Sequence, residues 1–245
     1  MLVQNKFSNY LIYAIGEIVL VVIGILIALA LNNWNENRKE KITEIQLYKE
    51  IKDDLVFSLR DLKSGLKSHN EDYNHTIKLR DHIKKKFALN DSISLYMRTI
   101  NRDDQFFPRT SGFEALKSIG FKTLSNDTLR ENITNLFQLG FERIVGMGRD
   151  KAPVRNFEFL NPFMDKYLRL SDSTFYRELD ENHCTLMYKR EIANYDNLLN
   201  DELLLLKLQD AISIRGFKIR YYNRIIGWTK SLISEIEFEI KSLKK

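Results

Sequence analysis

The stretch Leu11 to Leu31, LIYAIGEIVLVVIGILIALAL, constrains this chain more than any other part of it. Its 21 residues are apolar apart from one acid, Glu17, and Asn32-Asn33-Trp34-Asn35 closes it. As a helix rising 1.5 Å per residue it spans about 31 Å, close to the roughly 30 Å hydrocarbon thickness of a bilayer. The sequence therefore predicts one membrane-spanning helix over 11–31, after a short segment over 1–10 and before a domain over 32–245. A cleaved signal peptide is the first rival, because Ala28-Leu29-Ala30 has the small-x-small form of a cleavage site. A signal core usually runs about 7–15 residues behind a basic start, however, whereas this run is longer, carries an acid and follows a single lysine, Lys6. A buried core helix is the second rival, and the uniformity of the run argues against it. Tyr10, Tyr13 and Trp34 sit at the two edges, where interfacial aromatic side chains belong.

Glu17 needs a reason, since an ionised carboxylate near the middle of a bilayer costs at least a few kcal/mol. At about 100° per residue, Glu17, Val21, Gly24, Ala28 and Leu31 share one narrow stripe. Gly24-x-x-x-Ala28 is a small-xxx-small pair of the kind that lets two helices approach closely. The expectation is a helix–helix interface through Glu17, Val21, Gly24 and Ala28, by self-association or with another membrane protein. The bland alternative is a Glu17 that reaches toward the nearer headgroups without a partner. Arg38, Lys39 and Lys41 outnumber Lys6 and the α-amine across the stretch, so the positive-inside rule taken literally puts the domain in the cytoplasm.

Lys6-Phe7-Ser8, Tyr13-Ala14-Ile15-Gly16-Glu17-Ile18, Gly24-Ile25-Leu26-Ile27-Ala28-Leu29 and Asn32-Asn33-Trp34-Asn35-Glu36 together resemble the N-terminal signature of a protein family. Its members are uncharacterised bacterial proteins with one membrane helix and a helical domain of unknown function. A looser likeness continues through Ser111-Gly112-Phe113-Glu114-Ala115-Leu116-Lys117-Ser118 and Leu129-Arg130. The resemblance implies a single-pass protein of the bacterial cytoplasmic membrane, with the N-terminus inside and the domain outside. It implies no activity, cofactor or catalytic residue.

The remainder of the chain reads as helical. Ten Gly and three Pro are few for 245 residues, which argues against a many-stranded fold rich in tight turns. Ile45, Tyr48, Ile51, Leu55, Leu59, Leu62, Leu66, His69, Tyr73, Ile77 and Ile83 recur at spacings averaging about 3.5, a coiled-coil-like seam. One long helix is predicted over 36–86, running on stiffly from the membrane segment because neither Pro nor Gly stands between Trp34 and Gly65. Shorter helices are predicted over Ile93–Ile100 behind an Asn90-Asp91-Ser92 cap, over Phe113–Ser118, and from Leu129 to about Val145 behind Ser125-Asn126-Asp127. Gly146-Met147-Gly148 is read as its end. Pro153 to Pro162 is expected to be irregular, with Phe157, Phe159 and Phe163 anchoring it. A helix from Pro162 to Leu170, a turn at Ser171-Asp172-Ser173, and one medium and one long helix over Thr185–Lys245 complete the reading. The fold class expected is all-α: a transmembrane helix, then an antiparallel bundle with long first and last helices.

Chemistry-bearing patterns are sparse. The chain has no P-loop, G-x-G-x-x-G, G-x-S-x-G or H-E-x-x-H. His69, Asp72 and His75 come nearest to a metal set, and Asp180-x-x-His183 is the one further carboxylate–histidine spacing. A solvated helix face explains them as well, and no metal or other cofactor is expected. Cys184 is alone, so it forms no internal disulfide, and it reads as a small core or half-buried residue. Arg215, Lys218, Arg220, Arg224 and Lys230, interleaved with Phe217, Tyr221, Tyr222 and Trp228, are candidates for an anionic membrane surface. The alternative is a bundle helix whose aromatics are core and whose cations are solvated. A net charge of +5 without a concentrated basic block makes nucleic acid an unexpected partner. The function expected is a membrane-anchored interaction, scaffolding or sensing module, and the rival is a membrane-tethered enzyme with an unrecognised metal or polar site.

Overall fold

A computed structural model describes residues 4–149, 156–181 and 183–244. Two long helices set the frame. Helix α1 runs unbroken over Gln4–Lys84, and α8 over Glu202–Leu243. They pack antiparallel: Arg80 meets Gln209, Asp72 meets Arg215, His69 meets Tyr222 and Lys52 meets Glu237. Leu243 thereby returns to the level of Asn37–Glu44 of α1. The apolar first part of α1 stands clear of everything else, with an 18-residue window of mean hydropathy 2.9 and none of it buried. It is the one helix among the described residues long and apolar enough to cross a membrane.

The short elements lie along this frame in chain order. They are α2 (Asp91–Thr99), α3 (Ser111–Ile119), a 3₁₀ turn (Phe121–Thr123), α4 (Asp127–Asn135), a π-helical segment (Leu136–Phe141), α5 (Glu142–Arg149), α6 (Asn156–Tyr167), β1 (Leu168–Asp180), β2 (His183–Ile192) and α7 (Tyr195–Leu199). Caps follow the sequence: Asn90 accepts from Ser92 N–H, Asn126 from Leu129 N–H and Asp201 from Leu204 N–H. Helix α3 has no such cap of its own. Asp54 of α1 supplies one from across the fold, accepting from the Ser111 hydroxyl at 2.8 Å and from Gly112 N–H at 2.6 Å. Glu44 serves Ser125 in the same way, and Ser58 and Asp61 take the N–H groups of Arg109 and Phe107. The link from α2 to α3 is thus pinned along α1 by its own backbone.

Two apolar clusters form the core. The one nearer the apolar stretch gathers Tyr48, Ile51, Leu55, Leu62, Phe113, Phe137, Phe141, Ile225 and Ile236. The far one gathers Leu79, Ile83, Ile93, Met97, Leu160, Tyr167, Leu204 and Leu208. Complete burial of each such side chain stabilises by about 1.5–3 kcal/mol.

The chain is mostly helical, 77%, but not all-α. Thr185 to Ile192 lies in strand β2, antiparallel to β1, so the expected medium helix there is corrected. Ser171-Asp172-Ser173 is a bulge in β1 opposite Lys189, not a turn. Cys184 lies exposed on the hairpin, not in the core. Gly146-Met147-Gly148 does not end a helix but lies within α5. Pro162 lies inside α6, where Phe163 is buried, while Pro153 falls outside the described residues. Gly65 sits inside α1, and a Cβ there would come within 3.1 Å of the Tyr222 ring.

Gly112 is where α3 meets the α1 backbone. A Cβ at this position would stand 2.6 Å from Ile51 N and 2.7 Å from the Glu50 carbonyl carbon. Gly112→Ala should therefore destabilise by about 2–4 kcal/mol in urea unfolding, whereas Gly146→Ala should be neutral or stabilising by up to about 1 kcal/mol. Gly146 is the control because its Cβ would meet nothing within 4 Å.

Candidate functional site

Between the two apolar clusters α1 and α8 bury a layer of charge. Helix α1 contributes His69, Asp72 and Thr76, and α8 contributes Arg215 and Lys218, all at most 1% exposed. The α2–α3 link supplies the rest. Arg215 Nη2 donates to the carbonyls of Thr99, Ile100 and Arg102 at 3.3, 2.8 and 3.0 Å. It thereby caps the C-terminal end of α2, where a cation is favoured by the helix dipole. Lys218 Nζ donates to both oxygens of Asp103, at 2.5 and 2.7 Å.

The layer is under-bonded. Arg215 Nη1 stands 3.3 Å from Asp72 Oδ2, and Arg102 Nη1 3.7 Å from Asp72 Oδ1. Neither approach has hydrogen-bond geometry, so both Asp72 oxygens and Arg215 Nε and Nη1 lack hydrogen bonds among the described residues. Both ring nitrogens of His69 lack them too, and its ring meets Tyr222 edge-on at 4.9 Å. Burial pushes Asp72 above the usual carboxylate range and Arg215 below its own, each against the pull of the other. Burial first and the Lys218 charge second push His69 down to about 4, against Asp103 and Asp104.

These positions separate the residues expected to act together. His69 faces Tyr222, Asp72 faces Arg215, and His75 Nδ1 meets the Thr99 hydroxyl at 3.1 Å. That hydroxyl donates to Tyr96 O, so the His75 ring nitrogen is the donor. No group of three His, Cys, Asp or Glu is gathered for a metal among the described residues. Asp180 and His183 pair with each other at the exposed tip of the hairpin. Arg215 and Lys218 point into the protein and are unavailable to a membrane surface, while Arg220 and Arg224 are exposed. Glu17, Val21, Gly24 and Ala28 are all exposed, and a Cβ on Gly24 would meet nothing within 4 Å. Sequence reasoning missed Asp103 and the carbonyls of the α2–α3 link, whose part is visible only when that link is placed.

A family of unknown function, DUF6090, matches residues 17–153, more than half of the chain and the whole of the run from Glu17 through α5. No curated protein and no solved structure matches the chain.

An unfolded histidine takes up its proton near pH 6.5, whereas His69 in the fold stays neutral to about 4. The unfolded state binds more protons across that window, so stability is full above about pH 6.5 and falls toward pH 4, by about 3 kcal/mol for this group. His69→Leu should remove that share of the acid loss, read as the difference between wild-type and variant urea unfolding at pH 7 and pH 4.5. Arg215→Met should cost about 3–5 kcal/mol by stranding Asp72, and Asp72→Asn in the same chain should restore much of it.

Proposed function

The chain belongs to this family of unknown function, DUF6090, and on that footing we propose that it is a membrane-anchored interaction module that acts through contacts. The observation that carries the reading is the continuity of α1. Its first part is apolar and uncovered, and the same helix, without a break, becomes the central element of a folded domain. An apolar surface of this length, exposed on all sides, needs a cover, and a bilayer matches its length. The antiparallel α8 keeps the near end of the domain close to the bilayer, and the far end of α1 stands about 80 Å beyond Leu31. Glu17, Val21, Gly24 and Ala28 form the stripe through which two such helices would associate. The family resemblance favours an extracytoplasmic domain.

Cys184 makes the placement testable, because it is the chain's one cysteine and it is exposed. The protein should stay with membranes through alkaline carbonate and retain residues 1–31 by mass spectrometry. An impermeant maleimide should label Cys184 in spheroplasts without lysis. Release by carbonate or loss of residues 1–30 would overturn the anchor, and labelling only after lysis would reverse the orientation. Crosslinked dimer should fall in Glu17→Ala and Gly24→Leu, and an unchanged yield in both would remove the self-association.

A further inference from the structure

We propose that the groove between the start of α2 and the base of the β1–β2 hairpin binds a small organic polyanion from solution, one carrying a phosphate or paired carboxylates on an apolar body. The groove measures about 850 Å³, within the range of small-molecule sites. Two cations, Arg98 and Lys189, flank it, and neither has a carboxylate within ion-pair distance among the described residues. Of the two acids in the lining, Glu191 is already paired with Arg169 at 2.9 Å, and Asp91 alone is unpaired. The surplus is positive, in a concave site whose walls hold the field.

The construction of the groove is specific. The Ser94 hydroxyl donates to the Arg190 carbonyl at 2.6 Å, which fastens the hairpin to α2 and closes the groove at its base. The bulge in β1 brings Ser171 and Ser173 to its wall. Ser171 Oγ accepts from Ser173 N–H at 3.2 Å, which leaves its own O–H to donate to a ligand oxygen. Strand alternation then sets Phe175 and Lys189 on one face, with the Phe175 ring offering an apolar wall beside the ammonium. Arg98 Nε donates to Ser94 O, so its remaining N–H groups are available for the bidentate grip that guanidinium gives an oxyanion. A cation pair, hydroxyl donors and one aromatic wall select an anionic oxygen cluster attached to an apolar group.

The groove lies at the end of α1 opposite the apolar stretch, about 80 Å along the helix. A headgroup of the anchoring bilayer therefore does not reach it, and the inference stands independently of membrane attachment. β1 and β2 lie outside the residues matched by the family, whereas α2 lies within them.

The test uses the full chain in neutral detergent at low salt, titrated with phenyl phosphate, phthalate and inorganic phosphate to about 10 mM by calorimetry and thermal unfolding. Phenyl phosphate or phthalate should bind more tightly than inorganic phosphate and raise the unfolding midpoint. Arg98→Gln and Lys189→Gln should each weaken binding about tenfold, while Lys67→Gln and Arg224→Gln, exposed cations elsewhere, should leave it unchanged. Hydrogen exchange of the wild-type chain should slow over 90–98 and 187–192 on adding phenyl phosphate, a readout that needs no variant. Absence of binding by all three probes overturns the proposal. So does equal weakening by the remote variants, or binding without protection of those two segments.

Discussion

The carboxylates that α1 buries hold the short elements of the domain in place. Two long helices make only one seam, and α3 and α4 are too short to stand alone. Asp54 caps α3 from across the fold and is itself only 1% exposed. Glu44 fixes the chain at Ser125, one residue before the cap of α4. Burying a carboxylate costs several kcal/mol, and charged hydrogen bonds to backbone N–H groups return about 1.5–3 kcal/mol each. The net stability gain is therefore small. What these contacts supply is position: α3 can dock only where Asp54 meets its N-terminus and Gly112 lets the two backbones approach.

The charge layer answers a different problem. A seam of Leu and Ile at a spacing near 3.5 is nearly degenerate under a slip of one heptad, about 10 Å. In the observed register Asp72 stands against Arg215. A seven-residue slip would set Arg215 against Gly65 or Leu79, leaving a buried guanidinium and a buried carboxylate each unpaired. Stranding one such partner costs about 3–5 kcal/mol, enough to exclude the slipped registers. The layer thus specifies the pairing of α1 with α8 while adding little to its strength, and its missing hydrogen bonds are consistent with that division of labour.

The frame of the fold was legible in the sequence because long periodic stripes leave few alternatives. The stripe on α1 and the return of α8 followed from spacing, and Asn90 and Asn126 marked true caps. The hairpin was not legible, because none of its strand residues is buried and half-buried alternation is confined to Thr185 and Met187. Its signal lay in Thr174-Phe175-Tyr176 and Thr185-Leu186-Met187-Tyr188, β-favouring runs either side of a short polar turn. Arg215 was legible in part. Leu208, Arg215, Tyr222, Thr229 and Ile236 recur every seven residues and all are buried, so its place on the core stripe was written in the spacing. Its charge drew attention to the surface, and Asp72, the reason it can be buried, lies 143 positions away.

The charge layer also stands between the two ends of the molecule. Helix α2 borders the groove at its start and is held by Arg215 at its end, through three carbonyls. A displacement of α2 along α1 therefore works both against those three bonds and against the far apolar cluster, in which its Ile93 and Met97 are fully buried. Those clusters resist deformation because close-packed side chains have no intermediate arrangements to occupy. α1 itself passes through both clusters and the layer without a break. The layer is thus the level of the α1–α8 seam at which opposed charges rather than close packing set the contact, and one continuous helix joins it to the apolar stretch.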